Sequence, residues 1–521
     1  MSDSTITFVI LGAAVVLFVW DYLPVEIVAV GAALSLYATG VLTLGQSVAG
    51  FGDQTVIFIA SLFVVSAALD ATGVTVWAGQ RLIDAAGESR TRLVVLMMLL
   101  VAALTALISV NGSVAALMPM VVLLAIRLGR PTSQLLLPLA FGAHAGSMLT
   151  LTGTPVNVIV NASAKNAGVE PFGFFEFALV GLPLLAGTIA IVVLFGERLL
   201  PHRNGEAIPP DLSRHARTLA REYRLETDPG ALVTRSSGIA EVVVSPRSDL
   251  VGATVYPGMV TDSGDFIVLA VQRRGEALDE ATALAAGDAL LLRGTWGALE
   301  ASLEADPDVL VVDAPELVRR QGVPLGAGAK RALAVLAGMV ILLATGAVPP
   351  VAAGLFAAGA IVLLRVLDMD QVYRAISWTT VVLVAGMIPL STAMTQTGAA
   401  AKLADLLVDV VGGHGGHALL LGLFVLTAVL GQLISNMATA LIMIPVALSA
   451  AAEVDISPRP VLMSLTVAAA ASFLTPVATP ANLMVMRPGG YRFGDYWKLG
   501  LPILLLFGVI SVLLVPVIWS F

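Results

Sequence analysis

Ten residues of this chain recur at one spacing. Pro24 and Pro349, Thr55 and Thr380, Ala60 and Ala385, Ser66 and Ser391, Thr72 and Thr397 are each 325 residues apart. So are Gly73 and Gly398, Asn111 and Asn436, Thr154 and Thr479, Pro155 and Pro480, Asn157 and Asn482. A single register held from residue 24 to residue 157 does not arise from apolar composition alone. The chain is read as a tandem duplication. Each half must therefore adopt the same fold, and the halves must pack against each other.

The material between the matched residues says what medium that fold occupies. Of the 521 residues, 58% are hydrophobic and 12% are charged, against about 25% charged in soluble proteins. Continuous apolar runs recur at the length a membrane helix needs, roughly 20 residues. They lack the two-residue alternation of a transmembrane barrel. The first of them follows no basic segment and ends at no cleavage site, so it reads as a span rather than a leader. With no cysteine present, thiol catalysis, disulfides and Cys-based metal sites drop out. The net charge of −8 is unevenly spread, because 201–330 holds 32 of the 64 Asp, Glu, Lys and Arg residues. That stretch is expected to be a soluble insert between a first membrane repeat, 1–200, and a second, 331–521.

In the first repeat, spans are expected near 6–20, 24–41 and 54–72, then a polar segment with Arg81, Asp84, Glu88 and Arg90. An apolar hairpin follows at 93–126, with arms 93–109 and 113–126 joined by "SVNGS", then a broken helix at 134–163 and a span at 176–199. The basic residues Arg81, Arg90, Arg92, Arg127 and Arg130 put both hairpin ends on one face. The second arm, from Ser113 to Ile126, is short for a span, so the tip is expected inside the membrane, making the hairpin re-entrant. Five crossings per half then require an inverted-topology repeat. The second half carries a hairpin at 416–452 and a broken helix at 459–487. Outside the insert, 12 of 15 Lys and Arg residues fall on the proposed cytoplasmic side, with Lys165, Lys402 and Arg459 as exceptions. The expected fold class is an all-α polytopic membrane protein with two re-entrant hairpins, two broken helices and a small cytoplasmic α+β domain. Its expected place is a bacterial cytoplasmic membrane, with the insert inside the cell.

The breaks point to function. "TLTGTPVNVIVN" and "TPVATPANLMVM" interrupt apolar helices with the same Thr-Pro-x-Asn signature. Irregular backbone at membrane depth survives only where protein or a water-filled cavity satisfies it, and paired interruptions in two halves mark transporter binding sites. Two tips, Ser109–Ser113 and Ser435–Thr439, and two breaks, Thr152–Asn157 and Thr475–Asn482, are expected to converge. Their helix N-termini suit an anion. Their carbonyls and hydroxyls suit a hard cation such as Na⁺.

At these residues the chain resembles the divalent anion:sodium symporters of the ion transporter superfamily. "LISNMATALIMIP" is similar to that family's Ser-Asn-Thr hairpin signature, and "GTPVN" and "ATPAN" to its paired breaks. The resemblance implies a homodimer, one site per protomer, and an elevator-like transport domain. It implies Na⁺ ligands at Ser109, Asn111 and Gly153 and at Ser435, Asn436 and Ala478. It also implies substrate contacts from Asn111, Gly112, Ser113, Thr154, Pro155 and Asn157, and from Asn436, Met437, Thr479, Pro480 and Asn482. The tips here read Val110-Asn111-Gly112 and Ser435-Asn436-Met437, without the threonine that dicarboxylate members carry. A compact oxyanion such as sulfate is therefore favoured over a dicarboxylate, with Na⁺ as coupling ion. A cation/proton antiporter or oxyanion exporter is the alternative, and a regulated ion channel a further one.

Within the insert, "GIAEVVVSPRSDLVGATV", "DFIVLAVQRRGEAL" and "AAGDALLLRGTWGALEASLE" read as strands, turns and a closing helix. Over about 235–312 this resembles the TrkA-type C-terminal domain, which implies a small ligand or a role in assembly. No Gly-x-Gly-x-x-Gly loop supports a bound nucleotide, so no organic cofactor is expected, and no nucleic-acid partner either. No HExxH, Ser-His-Asp or cysteine arrangement suggests an enzyme. His414 and His417, spaced HxxH, read as loop residues, and His144 as a packing residue with a proton relay as the sharper option. Asp70 is expected to be solvated at a span end. Trp20, Trp497 and Trp519 are expected to be interfacial anchors.

Overall fold

The computed structural model describes residues 2–20, 22–75, 77–79, 81, 89–205, 237–261, 263–278, 280–302, 308–312, 328–411 and 415–521. Asp84, Glu88 and His414 lie outside them. The chain divides into two compact units. One comprises Met1–Asp70, Ala78–Ile208 and Lys330–Phe521; the other comprises Ala71–Trp77 and Pro209–Ala329.

The larger unit is helical. Its first half runs α1 (Asp3–Trp20), α2 (Val25–Ala38), α3 (Gln54–Ala71), a hairpin of α4 (Arg90–Leu107) and α5 (Val110–Arg127), then α6 (Leu136–Gly146), α7 (Pro155–Asn166) and α8 (Ala178–Leu199). Among the described residues, eight helices are long and apolar enough to cross a membrane. In hydrocarbon a helix is favoured because it satisfies every backbone group internally, and these sequences offer little else.

The smaller unit holds β1 (Ser237–Val244), β2 (Thr254–Val255), β3 (Phe266–Arg273), β4 (Glu276–Ala277), β5 (Thr282–Ala283), β6 (Ala289–Thr295), α9 (Trp296–Ser302) and β7 (Val309–Val311). Five strands form an antiparallel sheet in the order β4-β3-β6-β1-β7. Val242, Val268, Leu290, Leu292 and Trp296 form its core. Gly238 is required there, because a Cβ would sit 2.2 Å from the Trp296 ring. The Gly-Asp turn before β6 is pinned by Asp288, which accepts from Arg273 at 2.8 and 2.7 Å and from the Ala285 amide at 2.7 Å. The hydrogen-bonded Arg273 guanidinium holds that carboxyl below its ordinary range.

The second half of the helical unit runs α10 (Ala329–Thr345), α11 (Pro350–Leu363), α12 (Trp378–Gln396), α13 (Ala399–Val411), a hairpin of α14 (Gly416–Leu433) and α15 (Asn436–Glu453), then α16 (Pro458–Ala470), α17 (Pro480–Met486) and α18 (Tyr496–Val509). The halves meet as a two-fold would have them meet. A Cβ on Gly386 would lie 2.8 Å from Ala29, and a Cβ on Gly354 would lie 2.1 Å from Ser61. Ala29 and Ser61 are the residues 325 positions before Gly354 and Gly386. Contact i to j in one direction thus returns as j to i in the other, the mark of an isologous interface. Further on, α7 packs on α15 and α16 of the second half, while α17 packs on α5 and α6 of the first.

Several expectations are corrected. The second hairpin arm begins at Val110 and has 18 residues, because the Ser109 side chain caps it by accepting from the Gly112 amide at 3.1 Å. Arm length alone therefore does not place the tip at mid-membrane. The non-helical stretches are 147–154 and 471–479, upstream of where the Thr-Pro-x-Asn motif suggested. That motif starts a helix: Thr154 and Thr479 are N-caps, and Pro155 and Pro480 fill the first position, where a missing N–H costs nothing. Trp519 is 5% exposed and donates to Glu176 at 2.6 Å, so it is no interfacial anchor, whereas Trp20 and Trp497 are exposed.

Candidate binding site between the repeated hairpins and breaks

Each break is closed by its own asparagine. Asn157 Nδ2 donates to the carbonyls of Ser147 and Thr150 at 2.9 and 2.8 Å. Asn482 Nδ2 donates to Ser472 and Thr475 at 2.8 and 3.1 Å. These are the same two contacts, 325 residues apart, and both asparagines are 0% exposed. An unwound stretch leaves carbonyls without helical partners, and the side-chain amide replaces two of them. Asn157 and Asn482 are therefore braces of the breaks; their amide donors do not point at a solute.

Each break is also tied to the hairpin of its own half. Thr150 and Thr152 donate to the Ala106 carbonyl at the end of α4, the second at 3.2 Å. Thr475 donates to the Gln432 carbonyl at 3.5 Å, and Gln432 itself holds the Leu474 amide at 3.0 Å and the Ala471 carbonyl at 3.1 Å. Behind the breaks, glycines admit close backbone approach. A Cβ on Gly181 would lie 2.1 Å from the Met148 carbonyl oxygen, and one on Gly500 would lie 2.2 Å from that of Phe473. Both belong to a Gly-Leu-Pro at 181–183 and 500–502, a match that the 325-residue register hides because its offset is 319.

The two tips differ. Ser109 and Ser435 are equivalent caps, the second accepting from the Ala438 amide at 3.3 Å. Counted from these caps, Asn436 is the first helical residue and Asn111 the second, so the sequence match of the two asparagines slips by one in space. One residue along a helix is about 100° of rotation. Asn436 Oδ1 accordingly accepts from Ser472 Oγ at 2.6 Å, joining tip to break, while Asn111 is exposed. The expected equivalence of Asn111 and Asn436 does not hold. Counting from the caps instead pairs Ser113 with Thr439, and both are 0% exposed with hydroxyls that have no hydrogen-bond partner among the described residues.

The remaining expected residues line these elements. Gly112, Thr154, Pro155, Ser435 and Met437 are half-buried, Pro480 is exposed, and Gly153, Ala478 and Thr479 are buried. Gly153 must be glycine, since a Cβ would meet the Ser147 carbonyl at 2.3 Å; Ala478 shows that the second break is shaped differently. Asp70 was misjudged from sequence, while His144 is the buried packing residue expected, with its partners in the other half. His144 on α6 reaches across the two-fold, its Nε2 lying 3.1 Å from Thr479 Oγ1 and 3.3 Å from Asn482 Oδ1. Asp70, expected in solvent, brings Oδ2 within 3.7 Å of the Cβ position of Gly112 at the first tip. No local motif flags Asp70, because it stands some 40 residues upstream on α3.

Comparison with known proteins identifies the family. The citrate transporter (CitMHS) family model matches residues 15–467 and 409–521. The uncharacterized transporter YfbS of Escherichia coli is 31% identical over 98% of each chain. Sodium/sulfate cotransporter 1 of Chlamydomonas reinhardtii is 28% identical over 51% of this chain and 31% of that protein. The crystal structure of the Alcanivorax borkumensis YdaH transporter aligns over 97% of this chain and 99% of that one, at 16% identity and a TM-score of 0.47.

Proposed function

Since the chain belongs to the citrate transporter family, a family of membrane transporters rather than enzymes, we propose that it is a Na⁺-coupled symporter of a small divalent oxyanion, sulfate before dicarboxylate. The observation that carries this reading is the crossing of the two halves. Four helix N-termini, two at tips and two at breaks, are built from both repeats, with α7 against α15 and α17 against α5. Such termini attract an anion. Neutral oxygens at Ser435, Asn436, Ser472 and Ala478 suit one Na⁺, and those at Ser109, Asn111 and Gly153, with the Asp70 carboxylate near Gly112, suit another. Gly112, Ser113, Thr154, Pro155, Met437, Thr479 and Pro480 then face the anion. In this reading the protein is a homodimer that carries each site across the membrane by an elevator movement, as the sequence resemblance implies. The sheet unit, similar in sequence to the TrkA-type domain, is assigned to assembly or to binding a small ligand.

Proteoliposomes holding the purified chain, given labelled sulfate, phosphate, succinate or citrate under an inward Na⁺ gradient, test the substrate. Sulfate should accumulate most; accumulation of succinate or citrate with no sulfate would overturn the oxyanion assignment.

The reading also puts both hairpin ends and 201–330 in the cytoplasm of a bacterial cell, with the second repeat inverted. Two exceptions to the basic-residue rule weaken as objections. Arg459 is paired with Glu176 at 2.6 Å and Glu170 at 3.6 Å, and Lys402 donates to Ser4 at 2.8 Å. On this cysteine-free chain, Arg130→Cys and Arg247→Cys should escape a membrane-impermeant maleimide in intact cells and react after permeabilisation. Labelling from outside would refute the topology.

A further inference from the structure

Under a two-fold, each group of one half-site has a counterpart in the other, and here one counterpart differs in kind. Asn482 is oriented by the two carbonyls its nitrogen serves, so Oδ1 faces the His144 ring and Nε2 carries the proton it accepts. The residue 325 positions after His144 is Ala469, and 468–471 are all alanine, so a methyl stands there in any nearby register. Helix α16, which carries the first three of these alanines, packs on α7, as α6 with His144 packs on α17. Asn157 is oriented by its own two carbonyls in the same way, and it is fully buried. Its Oδ1 has no hydrogen-bond partner among the described residues. A buried amide oxygen left so is costly, and native proteins satisfy nearly all of them.

We propose that Asn157 Oδ1 and Thr154 Oγ1 ligate a Na⁺ ion in the first half, at the place where the second half holds the imidazole N–H of His144. The same pair of oxygens, from a Thr-Pro-x-Asn threonine and asparagine, meets a positive hydrogen in one half and a hard monovalent cation in the other. Neutral oxygens and a half-buried threonine suit such an ion, whose charge the transported anion offsets. The two halves therefore bind cations unequally: the first has a site that the second replaces with protein. The identity of the ion rests on the Na⁺-coupled reading above, and the test separates the two.

The thermal midpoint of the full chain in detergent is followed against NaCl, with choline chloride holding ionic strength constant and no anionic substrate added. Wild type should be stabilised by Na⁺. Thr154→Val removes one ligand, and Ala469→Ser adds a hydroxyl that can donate to Asn157 Oδ1. Each should raise the half-saturating Na⁺ concentration about fivefold or more, read separately from any change in the Na⁺-free midpoint. Absence of Na⁺ stabilisation in wild type would overturn the site. So would half-saturation within twofold of wild type in both variants; if uptake is then still Na⁺-driven, the coupling reading stands and the oxygen binds only water. A shift in both variants with uptake that ignores Na⁺ would leave this site standing and remove the coupling reading.

Discussion

Asn482→Ala is expected to abolish uptake and to lower the thermal midpoint more than any other single change at the site. It strips the Ser472 and Thr475 carbonyls of their donor and leaves the His144 N–H with Thr479 Oγ1 as its remaining acceptor among the described residues. Each buried group left unsatisfied costs about 1–3 kcal/mol, so the two carbonyls together cost roughly 2–6 kcal/mol, and the weakened His144 contact adds to that. The upper end reaches the whole stability of a marginal domain, about 5 kcal/mol. Asn157→Ala also strands two carbonyls, Ser147 and Thr150, but its Oδ1 serves no protein donor among the described residues. Its loss should be smaller by the His144 contact, at about 2–6 kcal/mol for the carbonyls alone. Thermal midpoints in detergent at equal protein check both the severity and the order. Two variants that melt and transport like wild type would mean that the breaks hold without their asparagines.

Gly500→Ala and Gly181→Ala should be nearly as severe for a different reason. The added methyl carbon would stand 2.2 Å from the Phe473 carbonyl oxygen in one case and 2.1 Å from the Met148 carbonyl oxygen in the other. Neither neighbour is a flexible side-chain end. The obstacle is backbone in the unwound segment, braced from the other side by asparagine. Overpacking of this kind costs about 1–3 kcal/mol and more where the backbone cannot shift. Folded protein recovered by size exclusion should fall sharply for both. Gly338→Ala, with nothing within 4 Å of the added carbon, should behave as wild type. Normal yields for Gly181→Ala and Gly500→Ala would show that the closing helices are not pressed against the breaks.

Much of this architecture was legible in the chain. Apolar runs gave the helices within a few residues at α1, α3 and α8, because length and polarity decide membrane helices with little tertiary input. The Thr-Pro-x-Asn motifs pointed to the two breaks, though not to their limits. Threonine and proline there begin a helix, and the unwinding lies in front of them, where Ser147 and Ser472 carry no signal of their own. Two features escaped because linear matching assumes a constant offset. One is the slip at the hairpins, which separates Asn111 from Asn436; the other is the Gly-Leu-Pro pair on α8 and α18. Cap geometry and backbone proximity decide both, and neither is a property of residue type. Contacts between distant elements, His144 to Asn482 and Asp70 to the first tip, were out of reach for the same reason.

Asp70 also gives the alternative, exchange of a cation for protons, its one specific support: a carboxylate beside Gly112. The measurement that separates proton exchange from Na⁺-coupled symport is uptake of labelled sulfate into proteoliposomes, at clamped zero membrane potential, under either an inward Na⁺ gradient at equal pH or an inward proton gradient in choline. Symport with Na⁺ predicts accumulation with Na⁺ and none with protons alone. It further predicts that Asn436→Ala, which loses the oxygen joining tip to break, shifts the Na⁺ requirement upward by about five- to 150-fold, and more than Asn111→Ala does. Uptake that ignores Na⁺ and follows the proton gradient would contradict it.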